Sequence, residues 1–434
     1  MVKHLVKIFT KYNSSRLNYI AGILIGDILG LSWEIVTDRR KLGKHPVINY
    51  SSEKITGSFR VDPVHLLFET GINRVEITVG TWKNLPVFFQ DSTESDFPFD
   101  IFAASFFLLT RYEEYLDFQP DEHGRFQASS SLGYTHGFLD KPVIDLWAKE
   151  LAKSLIKKFP SLAFKRNEFR ALLTIDVDEP FAYLGQNVLR SFGGLIRDFT
   201  SSPSQAGNRY KVVKHEKKDP YQVFDYIREN IRMNNIEARF FFPVGDHSRH
   251  DRNPSWKNEE YRELITSIAS EYSVGLHPSY RAGAEYSLVE TELQRLKTIL
   301  SKEIYSSRFH FLRLSMPLSY SNLSRASITE DYSMGYADEP GFRAGIARPY
   351  MFYNIREESR SDLKIVPFQV MDVTIINYKK HDPSKSIEVI LKLIAETKAA
   401  GGLFTSIWHN TSLLESSEWQ EWRMVFETML KNMH

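Results

Sequence analysis

Residues 171–178 read ALLTIDVD. An uninterrupted apolar run of this kind predicts a strand buried on both faces, and its first strongly polar groups arrive together at its end. Asp176 and Asp178 stand two apart, so on an extended chain both carboxyls leave the same side. Two carboxylates that close repel each other unless a cation or a proton lies between them. The same arrangement recurs downstream, where SVGL (273–276) runs into His277 and LFTSIW (403–408) into His409. Segments of helical spacing separate the runs: YQVFDYIRENIRMN with Phe224, Ile227 and Ile231 on one face, YRELITSIASEY, TELQRLKTILSK, and SIEVILKLIAETKAA closed by Gly401 and Gly402. Strands alternating with helices predict an α/β fold with a parallel sheet and crossover helices. With this many units the expected architecture is a (β/α) barrel, distorted or incomplete. In such folds the C-terminal strand ends carry the chemistry.

The chain before this region has a different rhythm. VEITVG (75–80) and LPVFF (85–89) predict strands, and IFAASFFLL (101–109), continuing toward RYEEYLDF, predicts half of an amphipathic helix. Pro142 opens VIDLWAKELAKSLIKKF, where Val143, Leu146, Trp147, Leu151 and Leu155 recur at helical spacing. KFPSLAFKRNEF then marks a boundary. Residues 1–165 are expected to form a mixed α/β domain of unassigned role, and residues 166–434 a second domain. Within the latter, the polar stretch 194–220 predicts a long loop, and RFHFLRL (308–314) and KIVPFQVMDVTI (364–375) predict strands.

Composition narrows the chemistry. The 55 Lys+Arg against 54 Asp+Glu exclude a strongly basic nucleic-acid binder. The absence of cysteine excludes disulfide frameworks, thiolate zinc sites and cysteine nucleophiles, so any metal must sit on His, Asp or Glu. The longest apolar stretch, YIAGILIGDILGLSW (19–33), is short and carries Asp27, so a buried element rather than a membrane span is expected. With no apolar leader at the N-terminus, the expected location is cytoplasmic.

TIDVDEP, GLHPSY, RFHFLR, GFRAG and SIWHN occur in this order over residues 168–434. Together they resemble the polysaccharide deacetylases, the NodB-homology group of carbohydrate esterase family 4. FAASFFLLTRYEEYL and HGRF resemble an uncharacterised domain that accompanies such enzymes in some bacteria. The resemblance implies a hydrolase that removes an N-acetyl or other N-acyl group from an amino sugar of a glycan or glycan precursor, with a divalent metal, often zinc. It implies Asp176 as catalytic base, Asp178 and His277 as metal ligands, and His409 as general acid. Arg308 falls where the family's arginine tunes the base, and Asp372 is expected to hold Arg343 or Arg308, with Arg343 a further catalytic candidate. Ser279, Tyr280, Tyr336 and Trp408 are candidates for substrate contact, and Tyr332 and Met334 lie in a loop expected over the barrel mouth.

Two departures bear on this reading. Val177 separates the two aspartates, as in the branch related to allantoinase-like deacetylases, and Arg281 stands where the family's second metal histidine is expected. His310 is the candidate replacement ligand. The alternatives are a catalytically decayed carbohydrate-binding module, a metal-independent amidohydrolase, and a glycoside hydrolase using Asp176 with Asp372. His247 and His250 have a metal-pair spacing but lie in a polar stretch that reads as a solvated loop.

Overall fold

The computed structural model describes residues 5–90, 95–184, 203–415 and 419–434. Its first sheet has four parallel strands: β1 (Leu5–Phe9), β2 (Ser32–Val36), β3 (Val47–Asn49) and β4 (Phe59–Arg60). Their spatial order is β2-β1-β3-β4. From β1 the chain reaches β2 through the helix Ser15–Ala21, which widens into a π-helical stretch at Gly22–Ile28. The apolar run 19–33 is therefore a buried helix followed by a strand. Among the described residues no helix is long and apolar enough to cross a membrane.

Two N-terminal expectations change. Residues 72–79 have no regular structure, because Val75, Ile77 and Val79 pack on the core through their side chains without a neighbouring strand to pair with. The hairpin that follows joins β5 (Gly80–Trp82) to β6 (Leu85–Val87). The helix Ile101–Leu109 is not amphipathic: all nine residues are buried. Phe106 packs on Tyr19 and Tyr353, and Phe107 on Phe88 and Phe89. Arg111, at φ 54°, then turns the chain away. The helix Val143–Lys158 forms as its periodicity predicts.

The second sheet has nine strands: β7 (Arg170–Asp176), β8 (Glu237–Phe242), β9 (Ser273–Leu276), β10 (Ser306–Ser307), β11 (Glu330–Asp331), β12 (Tyr350–Asn354), β13 (Ser359–Ile365), β14 (Val370–Met371) and β15 (Leu403–His409). Their order is β12-β13-β11-β10-β9-β8-β7-β15-β14. All neighbours are parallel except the β12–β13 pair. The pairings among the described residues leave this sheet open rather than closed as a ring. It curls, because the run 359–371 pairs first with β11 and then with β15.

The helices Phe224–Met233, Glu259–Ala269, Tyr286–Leu300 and Pro383–Ala400 cross between strands with their apolar faces buried. Gly401 caps the last of these at φ +65°, a left-handed conformation that favours glycine. The expected 194–220 loop contains a helix, Pro203–Val213, and its residues 194–202 lie outside the described residues. RFHFLRL is not a strand: after β10 the chain turns through a 3-10 segment at His310–Leu312, with positive φ at Phe311 and Leu312. One apolar core cluster runs from Val6 to Met433 and draws on both sheets.

Candidate active site

Because the strands around β7 are parallel, their C-terminal ends share one edge of the sheet. Asp176 ends β7, and His409 pairs in register beside it at the end of β15. His277 follows β9, Arg308 follows β10, and Asp372 follows β14. Gly275 allows this convergence, since a Cβ there would meet the Phe241 ring at 2.5 Å and Ser306 Oγ at 2.7 Å.

Asp178 is the centre of the cluster. Its Oδ1 lies 3.2 Å from His277 Nε2, and its Oδ2 lies 3.4 Å from His310 Nε2 and 3.6 Å from His409 Nε2. Each histidine is fixed from behind through Nδ1. His277 donates to the Arg308 carbonyl at 2.5 Å, His310 to Asp251 at 2.9 Å and His409 to Asp372 at 2.7 Å. A backbone carbonyl can only accept, so His277 carries its proton on Nδ1 and turns a lone pair inward on Nε2.

The group Asp178, His277 and His310 fits a cation. Their candidate ligand atoms all lie within 4.8 Å of one another. Two donors each ~2.1 Å from a tetrahedral ion stand roughly 3.4 Å apart. Asp178 Oδ1 and His277 Nε2 are buried and have no hydrogen-bond partner among the described residues, an arrangement costly for a site meant to stay purely proteinaceous. The donor set of two imidazoles and a carboxylate suits zinc and its neighbours.

On one side of this group Asp176 Oδ1 accepts from Arg308 Nη1 at 3.0 Å, and the same nitrogen donates to Thr174 Oγ1 at 2.7 Å. Arg308 is fully buried, lies over the Phe241 ring, and donates from Nε to the Tyr332 carbonyl. Burial lowers its pKa, with Asp176 opposing. On the other side Asp372 accepts from both the backbone N–H and Nδ1 of His409, each at 2.7 Å. Burial pulls the His409 imidazole down, but Asp372, Asp178 and Asp176 outweigh it and push it up to about 10. His310 is pushed up to about 9, because Asp178 and Asp251 outweigh its burial. Burial pushes the Asp178 carboxyl up, but His310 above all, with His409, holds it well below the usual carboxylate range.

Other residues selected from the sequence lie elsewhere. Arg343 forms a buried bidentate pair with Glu114, at 2.9 and 2.7 Å, and donates to the Gly335 carbonyl. It does not contact Asp176, and Asp372 holds His409 rather than an arginine. Tyr336 is buried and accepts from Arg111, and Trp408 is buried with its indole N–H on Met429. Tyr332 and Met334 are likewise in the core. Ser279 is buried against Glu292. Arg281 points outward and pairs with Glu285 at 3.4 Å.

Tyr280 is half-buried beside the cluster. His250 stacks on it at 4.2 Å, and His123 approaches its hydroxyl at 3.2 Å. His123 also packs edge-on against Phe311, the neighbour of His310. The segment carrying it is clamped by Arg125, which donates to the Phe311 carbonyl, and by Arg313, which donates to the His123 carbonyl. The polar stretch GDHSRHD is thus not merely solvated, since it supplies Asp251 and His250. Sequence reasoning missed Asp251 and His123, whose partners are 59 and 157 residues away.

A family model described as a family of unknown function, DUF7033, matches residues 6–160. No curated protein matches. Among solved structures, a candidate polysaccharide deacetylase from Mycobacterium smegmatis is similar at TM-score 0.39 and 14% identity, covering 61% of this chain and 85% of that one. A polysaccharide deacetylase from Bacillus cereus is similar at TM-score 0.31 and 12% identity, over 62% and 87% of the two chains. A family 4 pseudoenzyme from Bacillus anthracis gives TM-score 0.31 and 11% identity, over 62% of each.

Proposed function

We propose that the chain is a hydrolase that removes an N-acyl group, acetyl in the first instance, from an amino sugar of a glycan or glycan precursor. The observation that carries this reading is the convergence of Asp178, His277 and His310, flanked by Asp176 on Arg308 and by His409 on Asp372. In this reading Asp178, His277 and His310 hold a divalent cation, with zinc the first candidate. When bound, it supplies Lewis acidity toward an acyl carbonyl and the attacking water.

The chain's own residues divide the proton traffic. Arg308 engages Asp176 Oδ1, leaving Oδ2 to accept the proton of the attacking water. His409, held by Asp372, turns Nε2 inward to protonate the departing amine. Asp178 keeps 23% of its side-chain surface exposed, so the cluster is reachable from solvent. His310 answers the objection raised by Arg281, since the third donor comes from another strand end. Residues 1–165 form, in this reading, a domain that lends His123 to the rim of the site built by residues 166–434.

The test is release of primary amine from N-acetylglucosamine oligomers, with and without added zinc. D176N and H409A should each lower the rate by roughly a hundredfold or more, the scale of general acid–base catalysis. A carbohydrate-binding module would retain glycan affinity and release no amine. A glycosidase would instead produce reducing ends.

A further inference from the structure

The first sheet also has the topology of a binding site. From β1 the chain crosses to β2 on one side, and it then returns past β1 to β3 on the other. Where successive connections leave a parallel sheet in opposite directions, the loops part and a crevice opens at the carboxyl ends of the strands. A cavity of about 670 Å³ lies at that point. It is lined by the segments that directly follow β1, β3 and β4. Its size suits a nucleotide or a substituted sugar.

The lining indicates the ligand's chemistry. Arg60 and Asp62 neutralise each other at 2.5 Å. Lys11, with 47% side-chain exposure, is only loosely paired with Glu53 at 3.6 Å, and His65 is exposed at the same rim. In the loop after β1, the backbone N–H groups of residues 11–14 have no hydrogen-bond partner among the described residues. Tyr12, 70% exposed, lies beside them. Tyr50 closes the floor through a 2.6 Å hydrogen bond to the buried Asp100. An exposed ammonium, an imidazole and backbone N–H groups without a backbone partner suit an oxyanion, and an exposed ring suits a flat or pyranose partner.

We propose that this cavity binds a small phosphate-bearing molecule that also carries a ring. Lys11, His65 and the loop N–H groups take the phosphate, and Tyr12 packs on the ring. The assignment is independent of the chemistry proposed for the Asp178 cluster. The test is calorimetric titration of the full chain, treated with a chelator, with pyrophosphate, ADP, glucosamine 6-phosphate and glucosamine. One site is expected, with Kd at or below about 1 mM for ADP or for glucosamine 6-phosphate. The better of these two identifies a nucleotide or a sugar phosphate. K11E and H65A should each weaken binding about tenfold or more, while D178A should leave it unchanged. Both substituted side chains are exposed, so circular dichroism should show an intact fold. The proposal is overturned if no phosphate compound saturates, if glucosamine binds as well as its phosphate, if K11E and H65A have no effect, or if D178A abolishes binding.

Discussion

Asp251→Asn should weaken zinc binding by about 10- to 100-fold. Asp251 is outside the candidate ligand set, but one carboxylate serves three donors: His310 Nδ1 at 2.9 Å, the Tyr280 N–H at 2.9 Å and Ser248 Oγ at 2.6 Å. Asparagine keeps the shape and one accepting oxygen, but it loses the charge and leaves one donor facing an amide NH2. A hydrogen bond to a charged group contributes about 1.5–3 kcal/mol. At about 1.4 kcal/mol per decade this corresponds to between one and two decades in Kd, the usual range for a partner behind a metal histidine. The assay is competition against a chromophoric zinc chelator at fixed pH, with H310A beside it. His310→Ala should lose more, because it removes a donor outright. A D251N Kd within about threefold of the parent, with H310A crippled, would refute the orienting role of Asp251. Unchanged binding in both variants would refute the metal site itself.

Glu114→Gln removes the carboxylate that Arg343 and Arg111 share, leaving Arg111 with Glu113 alone as its carboxylate, and it should cost about 3–5 kcal/mol in denaturant unfolding without changing zinc affinity. Unaltered stability would mean that the buried cations find other partners. Burial pushes the Glu292 carboxyl up to about 7, from 4.5, against the hydrogen bonds of Ser279. The folded state therefore holds this proton more tightly than the unfolded state, and the associated stability, about 3 kcal/mol, is present below pH ~4.5 and lost as pH rises through ~7. E292Q should flatten that part of the Tm–pH profile, and an unchanged slope would assign it to other groups. His123→Ala removes a ring that touches Tyr280 and Phe311 but no atom of the Asp178 cluster. It should raise KM for the substrate of the proposed deacetylation several-fold with kcat retained, and a collapse of kcat at constant KM would place His123 in the chemistry instead.

Legibility from the sequence followed the range of the interactions. The placing of Asp176, Asp178, His277 and His409 along one sheet edge was readable because each ends or closely follows a buried strand, and strand burial is written locally in an apolar run. His310 was proposed from a strand expected next in the sheet, but its segment leaves the sheet where Phe311 takes up positive φ. The roles of Arg343 and Tyr336 were misread because Glu114 and Arg111, which claim them, lie more than 200 residues away. Asp372 was seen as a carboxylate in want of a cation, yet its partner is an imidazole brought alongside by the β14–β15 pairing. The wholly buried helix Ile101–Leu109 looked half-amphipathic because the residues that follow it are polar. Only tertiary packing shows that the helix stops before them.

That helix has a consequence for how such a chain diversifies. Phe106 packs edge-on against both Tyr19 and Tyr353, and those two tyrosines also touch each other. Three segments, two from the first quarter of the sequence and one from its last fifth, share one aromatic knot. A genetic exchange that replaced the C-terminal part with a homologous one would import a residue at position 353 that had drifted separately from Tyr19 and Phe106. Substitutions at these three positions should therefore be inherited in concert, and chimaeras joined between them should need compensating changes at the knot before they fold.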